Sequence, residues 1–160
     1  MIEMHNRTYL LKYAIEYLSK FSSSKNNLER ILKSKIQRLT KDKKNRFNLY
    51  KEIDYVFEQL EKNNLLDDKN YSFIKIQLFS KQGKSKNYVK KYLFSKGIES
   101  SIIQEQLNNF EIQNPEWEKK SARIFLRKKN LVKLNNRYEK KLAKMARAGF
   151  SYDLCKEILD

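Results

Sequence analysis

Residues 93–107 read LFSKGIESSIIQEQL, and residues 145–159 read MARAGFSYDLCKEIL. Set Gly97 on Gly149 and the apolar positions coincide: Leu93 with Met145, Ile98 with Phe150, Ile102 with Leu154, Ile103 with Cys155, Leu107 with Leu159. In each copy a glycine closes one helix. The residue after it opens a stripe at +4, +5 and +9, the spacing of a single helix face. Glycine enters the left-handed turn without steric cost, so the pairing of the two glycines has a physical cause. The chain is therefore a repeat of helical modules.

Helical spacing continues upstream. Leu10, Ala14, Tyr17, Leu18 and Phe21 form one face of a first helix. Ser22–Ser24 break it and cap a second, with Leu28, Ile31 and Leu32. Leu28 and Leu32 match Val89 and Leu93 in a looser copy, where the basic run TKDKKNR (Thr40–Arg46), a loop or a frayed helix end, replaces the glycine turn. A third helix carries Ile53, Val56, Phe57 and Leu60. Asn64 suits a left-handed helix end, and Asp67 or Asp68 the next cap. The fourth helix shows Tyr71, Ile74 and Leu78 and stops at Gly83; the fifth shows Val89, Tyr92 and Leu93; the sixth runs from Ile98 to Phe110. Asn114 as cap and Pro115 as first helical residue predict the start of a seventh, which buries Trp117, Ser121, Ile124 and Phe125. Tyr138, Leu142, Met145 and Ala146 mark the eighth; Leu154, Cys155, Ile158 and Leu159 mark the ninth. The expected fold is all-α: about nine helices in tandem three-helix modules over 1–66, 67–113 and 114–160, the first with a basic insert near 40–46. Such modules barely bury a core alone, so they stack into an elongated, curved array.

Composition agrees. The 160 residues include only three glycines and one proline, far below what an all-β chain needs for its turns. One cysteine excludes an internal disulfide and points to a reducing, cytoplasmic compartment. One histidine, His5, leaves no zinc site and no Ser-His-Asp or Cys-His arrangement. No phosphate-cradling glycine loop occurs, and Asp67-Asp68 reads as a helix cap rather than a metal pair. Neither a signal-peptide apolar core nor a run of 18 apolar residues is present. The expectation is a non-enzyme that needs no cofactor or metal.

Charge is the informative feature. Thirty-five basic against 19 acidic residues leave +16, which calls for a polyanionic or acidic partner. Lys119–Arg147 holds twelve basic residues against Glu139 alone. Lys120, Arg123 and Arg127 lie at i, i+3 and i+7, as do Arg137, Lys140 and Lys144, with Lys141 beside them and Arg147 beyond. Like charges at these spacings destabilise a helix, so a ligand explains the stripes better than stability does. Lys84, Lys86, Lys90 and Lys91 belong to a second cluster without acids. These twelve residues are the candidate contacts. Tyr9, Tyr13 and Tyr17 form a line read as packing between modules, with base stacking as the alternative. Trp117 and Cys155 read as core.

Asn-Leu-Leu-Asp-Asp-Lys-Asn-Tyr (Asn64–Tyr71), the Lys96-Gly97-Ile98 turn and Arg-Ala-Gly-Phe-Ser-Tyr-Asp (Arg147–Asp153) resemble motifs of the RecX family, bacterial modulators of the RecA recombinase. The segment YAIEYLSKFSSSKNNLERIL (residues 13–32) resembles that family's first repeat. The likeness spans essentially the whole chain. It departs at Asn64, where glycine is common, and at the basic insert. The resemblance implies tandem three-helix repeats lying in the groove of a RecA–DNA filament, inhibition of ATP hydrolysis, strand exchange and filament extension, and a cytoplasmic place in DNA repair, recombination and the SOS response. It carries no catalytic residues. The expected partners are the RecA filament and DNA phosphates, bound by a monomer without a membrane. A stand-alone nonspecific nucleic-acid binder is the alternative; a nuclease lacks the acid/base residues.

Overall fold

The computed structural model describes the backbone of residues 2–131 and 137–160, and side chains from residue 6 within those ranges. Lys133 of the basic window and the side chain of His5 lie outside the described residues. Among the described residues there are nine α-helices and no strand: α1 Ile2–Lys20, α2 Lys25–Leu39, α3 Lys43–Lys62, α4 Asp68–Gln82, α5 Lys86–Ser95, α6 Ser100–Gln113, α7 Trp117–Lys128, α8 Tyr138–Arg147 and α9 Tyr152–Leu159. The all-α expectation holds. The chain divides into two compact units, Met1–Tyr71 with Lys96–Ile98, and Ser72–Ser95 with Glu99–Asp160.

The first unit packs α1 and α2 on α3 around Leu10, Ala14, Leu28, Leu32, Ile36, Ile53, Val56, Phe57 and Leu60. Each apolar stripe falls at helical spacing, so burying it removes apolar surface from water and stabilises the fold by roughly 25 cal/mol per Å². The helix starts have side-chain caps. Ser24 Oγ accepts from Asn27 N at 3.2 Å, Asp42 Oδ1 from Asn45 N at 2.7 Å, and Asp67 Oδ1 from Lys69 N at 2.8 Å. Asp42 therefore shortens the basic insert to a break at Thr40–Asp42, and Lys43–Arg46 are helical. Phe21 is not core: it follows the end of α1 and is 56% exposed.

The second unit buries Ala122, Leu126, Leu131, Met145, Phe150 and Cys155 together, with Phe125, Leu142 and Ile158 against them. Burial raises the Cys155 thiol above its ordinary pKa, as expected of a small hydrophobe. Two readings are corrected. In α4 the buried residues are Tyr71, Ser72, Ile76 and Phe79, while Ile74 and Leu78 are exposed. That helix is apolar on both sides, so spacing did not select its core face. At α7, Asn114 closes α6 instead, donating its backbone N–H and its Nδ2 to the Phe110 carbonyl. Glu116 is the residue before α7, with φ +59, and offers no side-chain cap.

One tripeptide makes the same set of contacts twice. In the first unit, Ser24 Oγ donates to the Lys96 carbonyl at 2.6 Å, Lys25 N donates to Asp68 Oδ1 at 2.8 Å, and Lys25 Nζ meets Glu61 at 2.6 Å. In the second, Ser85 Oγ donates to the Ala148 carbonyl at 2.7 Å, Lys86 N donates to Glu118 Oε1 at 2.8 Å, and Lys86 Nζ meets Glu111 at 2.6 Å. Both carbonyls belong to the residue before a left-handed glycine, Gly97 at φ +72 or Gly149 at φ +93. Ser-Lys-Asn at 24–26 and at 85–87 is thus a repeated lock on a glycine turn.

The lock has a pH signature. Burial raises the carboxyl pKa of Asp68 and of Glu118, outweighing the backbone N–H that each accepts. A carboxyl raised on folding contributes stability in full below the ordinary carboxylate range, and loses it as pH rises through the raised value. Asp68→Asn with Glu118→Gln keeps an acceptor for each N–H and removes the charge. Chemical denaturation across pH 4–7 should show the wild type losing stability relative to this variant as pH rises. Asp68→Ala should lower stability by about 0.5–1.5 kcal/mol through loss of the exposed Lys25 N–H bond.

Candidate functional site

The core side of α7 is Trp117, Ser121, Ala122 and Leu126. At 100° per residue Lys120, Arg123 and Arg127 fall on the opposite side, and all three are exposed. In α8 the buried residue is Met145. Arg137, Lys140 and Arg147 are exposed, whereas Lys141 and Lys144 are half-buried. No described carboxylate is ion-paired with Lys120, Arg123, Arg127, Arg137, Lys140, Lys141 or Lys144. Lys119 differs: it pairs with Glu116 at 2.8 Å and Glu157 at 2.6 Å, so it leaves the free charge of the window. Those partners raise its pKa, and Lys119 in turn holds the Glu116 carboxyl below the usual range.

The second cluster is split by its contacts. Lys86 is held by Glu111 and by the Ser85–Gly149 lock, so its charge is partly neutralised. Ser121 Oγ donates to the Lys84 carbonyl at 2.6 Å, and the Lys84 ammonium sits 4.5 Å from the Tyr88 ring centroid. Lys90 and Lys91 flank a recess of about 360 Å³ with Phe94, Ser100, Ile103 and Gln104. Lys86 and Lys90 also line a recess of about 390 Å³ with Asn87, Glu118, Gly149 and Ser151. This unit therefore presents unpaired cations on α7 and α8, and on α5 cations beside an apolar recess. Such a surface suits phosphates or acidic side chains by charge.

Spacing alone missed three features. The carboxylates Asp68 and Glu118 hold the locks, and the repeated Ser-Lys-Asn was their signal in the sequence. Lys35, an unremarked lysine of α2, lies over two tyrosine rings of α1, 5.7 Å from the Tyr9 centroid and 4.9 Å from that of Tyr13. Tyr13 and Tyr17 pack against the core of their own unit, a setting not foreseen for that line. Among the described residues there is no group of three metal-ligating side chains, and no helix is long and apolar enough to cross a membrane.

Fold and surface define a class: a basic, all-helical repeat protein with unpaired cation stripes. Within it the chain is similar to the regulatory protein RecX of Myxococcus xanthus, 28% identical over 162 residues, covering 96% of this chain and 85% of that protein. No family model matches it. Its fold is that of the crystal structure of RecX from Lactobacillus salivarius, at a TM-score of 0.72 and 20% identity, covering 98% of this chain and 96% of that one. A second crystal structure of regulatory protein RecX superposes at 0.71 with 18% identity, covering 98% of this chain and 73% of that one. The resemblance drawn from the Asn64–Tyr71 and Arg147–Asp153 motifs is borne out: in sequence along its length, and in fold, this is a RecX-like chain.

Proposed function

We propose that the chain binds a RecA–DNA filament and restrains it, inhibiting ATP hydrolysis, strand exchange and filament extension, and so modulating DNA repair and recombination as a cytoplasmic monomer. The full-length similarity to RecX supports this reading, and the unpaired stripes of α7 and α8 supply surfaces that fit it. Three modules, 1–66, 67–113 and 114–160, acting in series would contact successive protomers, and linked contacts gain affinity through effective concentration. DNA phosphates are reached without sequence readout, through Lys120, Arg123, Arg127, Arg137, Lys140, Lys141, Lys144 and Arg147; Lys84, Lys86, Lys90 and Lys91 face RecA or DNA.

The test is ATP hydrolysis by preformed RecA filaments on single-stranded DNA, titrated with this protein. A filament regulator inhibits at concentrations well below those that coat the strand. Inhibition only at coating concentrations, in proportion to DNA affinity, would replace this reading with a stand-alone nucleic-acid binder, which the stripes alone also support.

A further inference from the structure

Four aromatic residues step along α1 and its end at intervals of four: Tyr9, Tyr13, Tyr17 and Phe21. At 1.5 Å per residue successive rings are about 6 Å apart along the axis. Tyr13 and Tyr17 rest on the core of the first unit, which fixes the line in place. Tyr9 stays 43% exposed and Phe21 56% exposed, and the Tyr17 and Phe21 rings touch at 5.2 Å between centroids. A line meant only for packing would bury its ends; here the supported rings are in the middle and the exposed ones at the ends.

Lys35 makes this surface chemically specific. Its ammonium lies over the Tyr9 and Tyr13 rings, and no described carboxylate is paired with it. Lys33, on the same helix, pairs with Glu29 instead. A cation seated on aromatic faces stays fixed without a counter-ion, free to take one from a ligand. Rings for bases, with a pinned cation for phosphate, are the parts of a single-strand binding platform. An acidic peptide would satisfy Lys35 but leave the exposed Tyr9 and Phe21 rings without a partner.

We propose that the Tyr9–Phe21 face of α1, with Lys35, binds single-stranded nucleic acid by stacking bases on the rings and pairing a phosphate with the lysine. The site is separate from the α7 and α8 stripes and does not depend on a RecA partner. Glu16, next to the line on α1, opposes the phosphate charge, so Glu16→Gln should tighten binding.

The probe is an oligothymidylate carrying photoactive 4-thiothymidine, used with the full chain. Cross-links mapped by mass spectrometry should fall on Tyr9, Tyr13 or Phe21. Anisotropy should give about thirty-fold weaker binding for Tyr9→Leu with Phe21→Leu, the lower end of the range for two lost stacks. The salt slope of that variant should not change, because stacking releases no counterions. Lys35→Gln should instead reduce the slope by about 0.7. Both rings are exposed, so the double variant should stay folded and melt only a few degrees below wild type. Unchanged affinity in the folded double variant, cross-links confined to α7 and α8, or no oligothymidylate binding would each overturn the proposal.

Discussion

Gly149→Val is expected to melt roughly 10 °C or more below wild type, whereas Lys91→Ala should stay within a degree or two. Gly149 sits at φ +93, where a β-branched side chain meets its own backbone, at a cost of about 1–2 kcal/mol. An added Cβ would also lie 2.6 Å from Ser85 Oγ. That hydroxyl cannot move without loss. It accepts from Tyr88 N at the start of α5 and donates to the Ala148 carbonyl. Pushing it aside removes a helix cap, about another 1 kcal/mol, besides the overpacking cost of about 1–3 kcal/mol. Together these reach about 4 kcal/mol, and in a chain of this size each kcal/mol moves the midpoint by about 2–4 °C. Gly97→Val should behave alike, because its Cβ would collide with Asn26, the last residue of the other Ser-Lys-Asn lock. Scanning calorimetry on the three variants checks both. A Gly149→Val midpoint equal to that of Lys91→Ala would remove the glycine turn from the account of the fold.

The second large effect is electrostatic. Reversing Arg137, Lys140 and Lys144 to glutamate should weaken single-stranded DNA binding by roughly fifty-fold or more near 0.15 M salt. Affinity varies with salt to a power of about −0.7 per neutralised phosphate, so three lost contacts also reduce the slope by about 2. The loss should be the same for oligonucleotides of different sequence, since phosphate contacts carry no base information. Circular dichroism should stay helical: Arg137 and Lys140 are exposed, and Lys144 is half-buried. An unchanged slope would place the phosphate contacts elsewhere, and the Lys35 platform is then the next surface to test. Charge reversal probes α8 better than deletion of residues 114–160, which would divide the second compact unit.

Where polarity and spacing agreed, the sequence was readable. Ile53, Val56, Phe57 and Leu60 recur at helical spacing on α3, and all four are buried. Gly97, Gly149 and Asn64 marked left-handed positions, because few residues take that conformation cheaply, and all three have positive φ. The reading failed where a signal pointed both ways. Helix α4 carries apolar residues around its circumference, so spacing chose Ile74 and Leu78 while packing chose Ile76 and Phe79. Asn114-Pro115 has the composition of a helix start, yet the same asparagine can close the preceding helix, and here it does.

The candidate surface divides along the same line. Formal charge is a property of composition, so the basic stripes of α7 and α8 were visible as soon as helix spacing was applied. Which cations remain free is not. Lys119 and Lys120 are neighbours in sequence, but Glu157, 38 positions after Lys119, neutralises the first and leaves the second unpaired. Lys35 shows the converse, an ordinary lysine given its place by rings more than 20 residues away. Local chemistry therefore determined the helices, their glycine stops and the sign of the surface. Only the tertiary structure decided which side of α4 is buried, which carboxylates hold the turns and which charges stay open, because each of those depends on a partner brought close by the fold rather than by the chain.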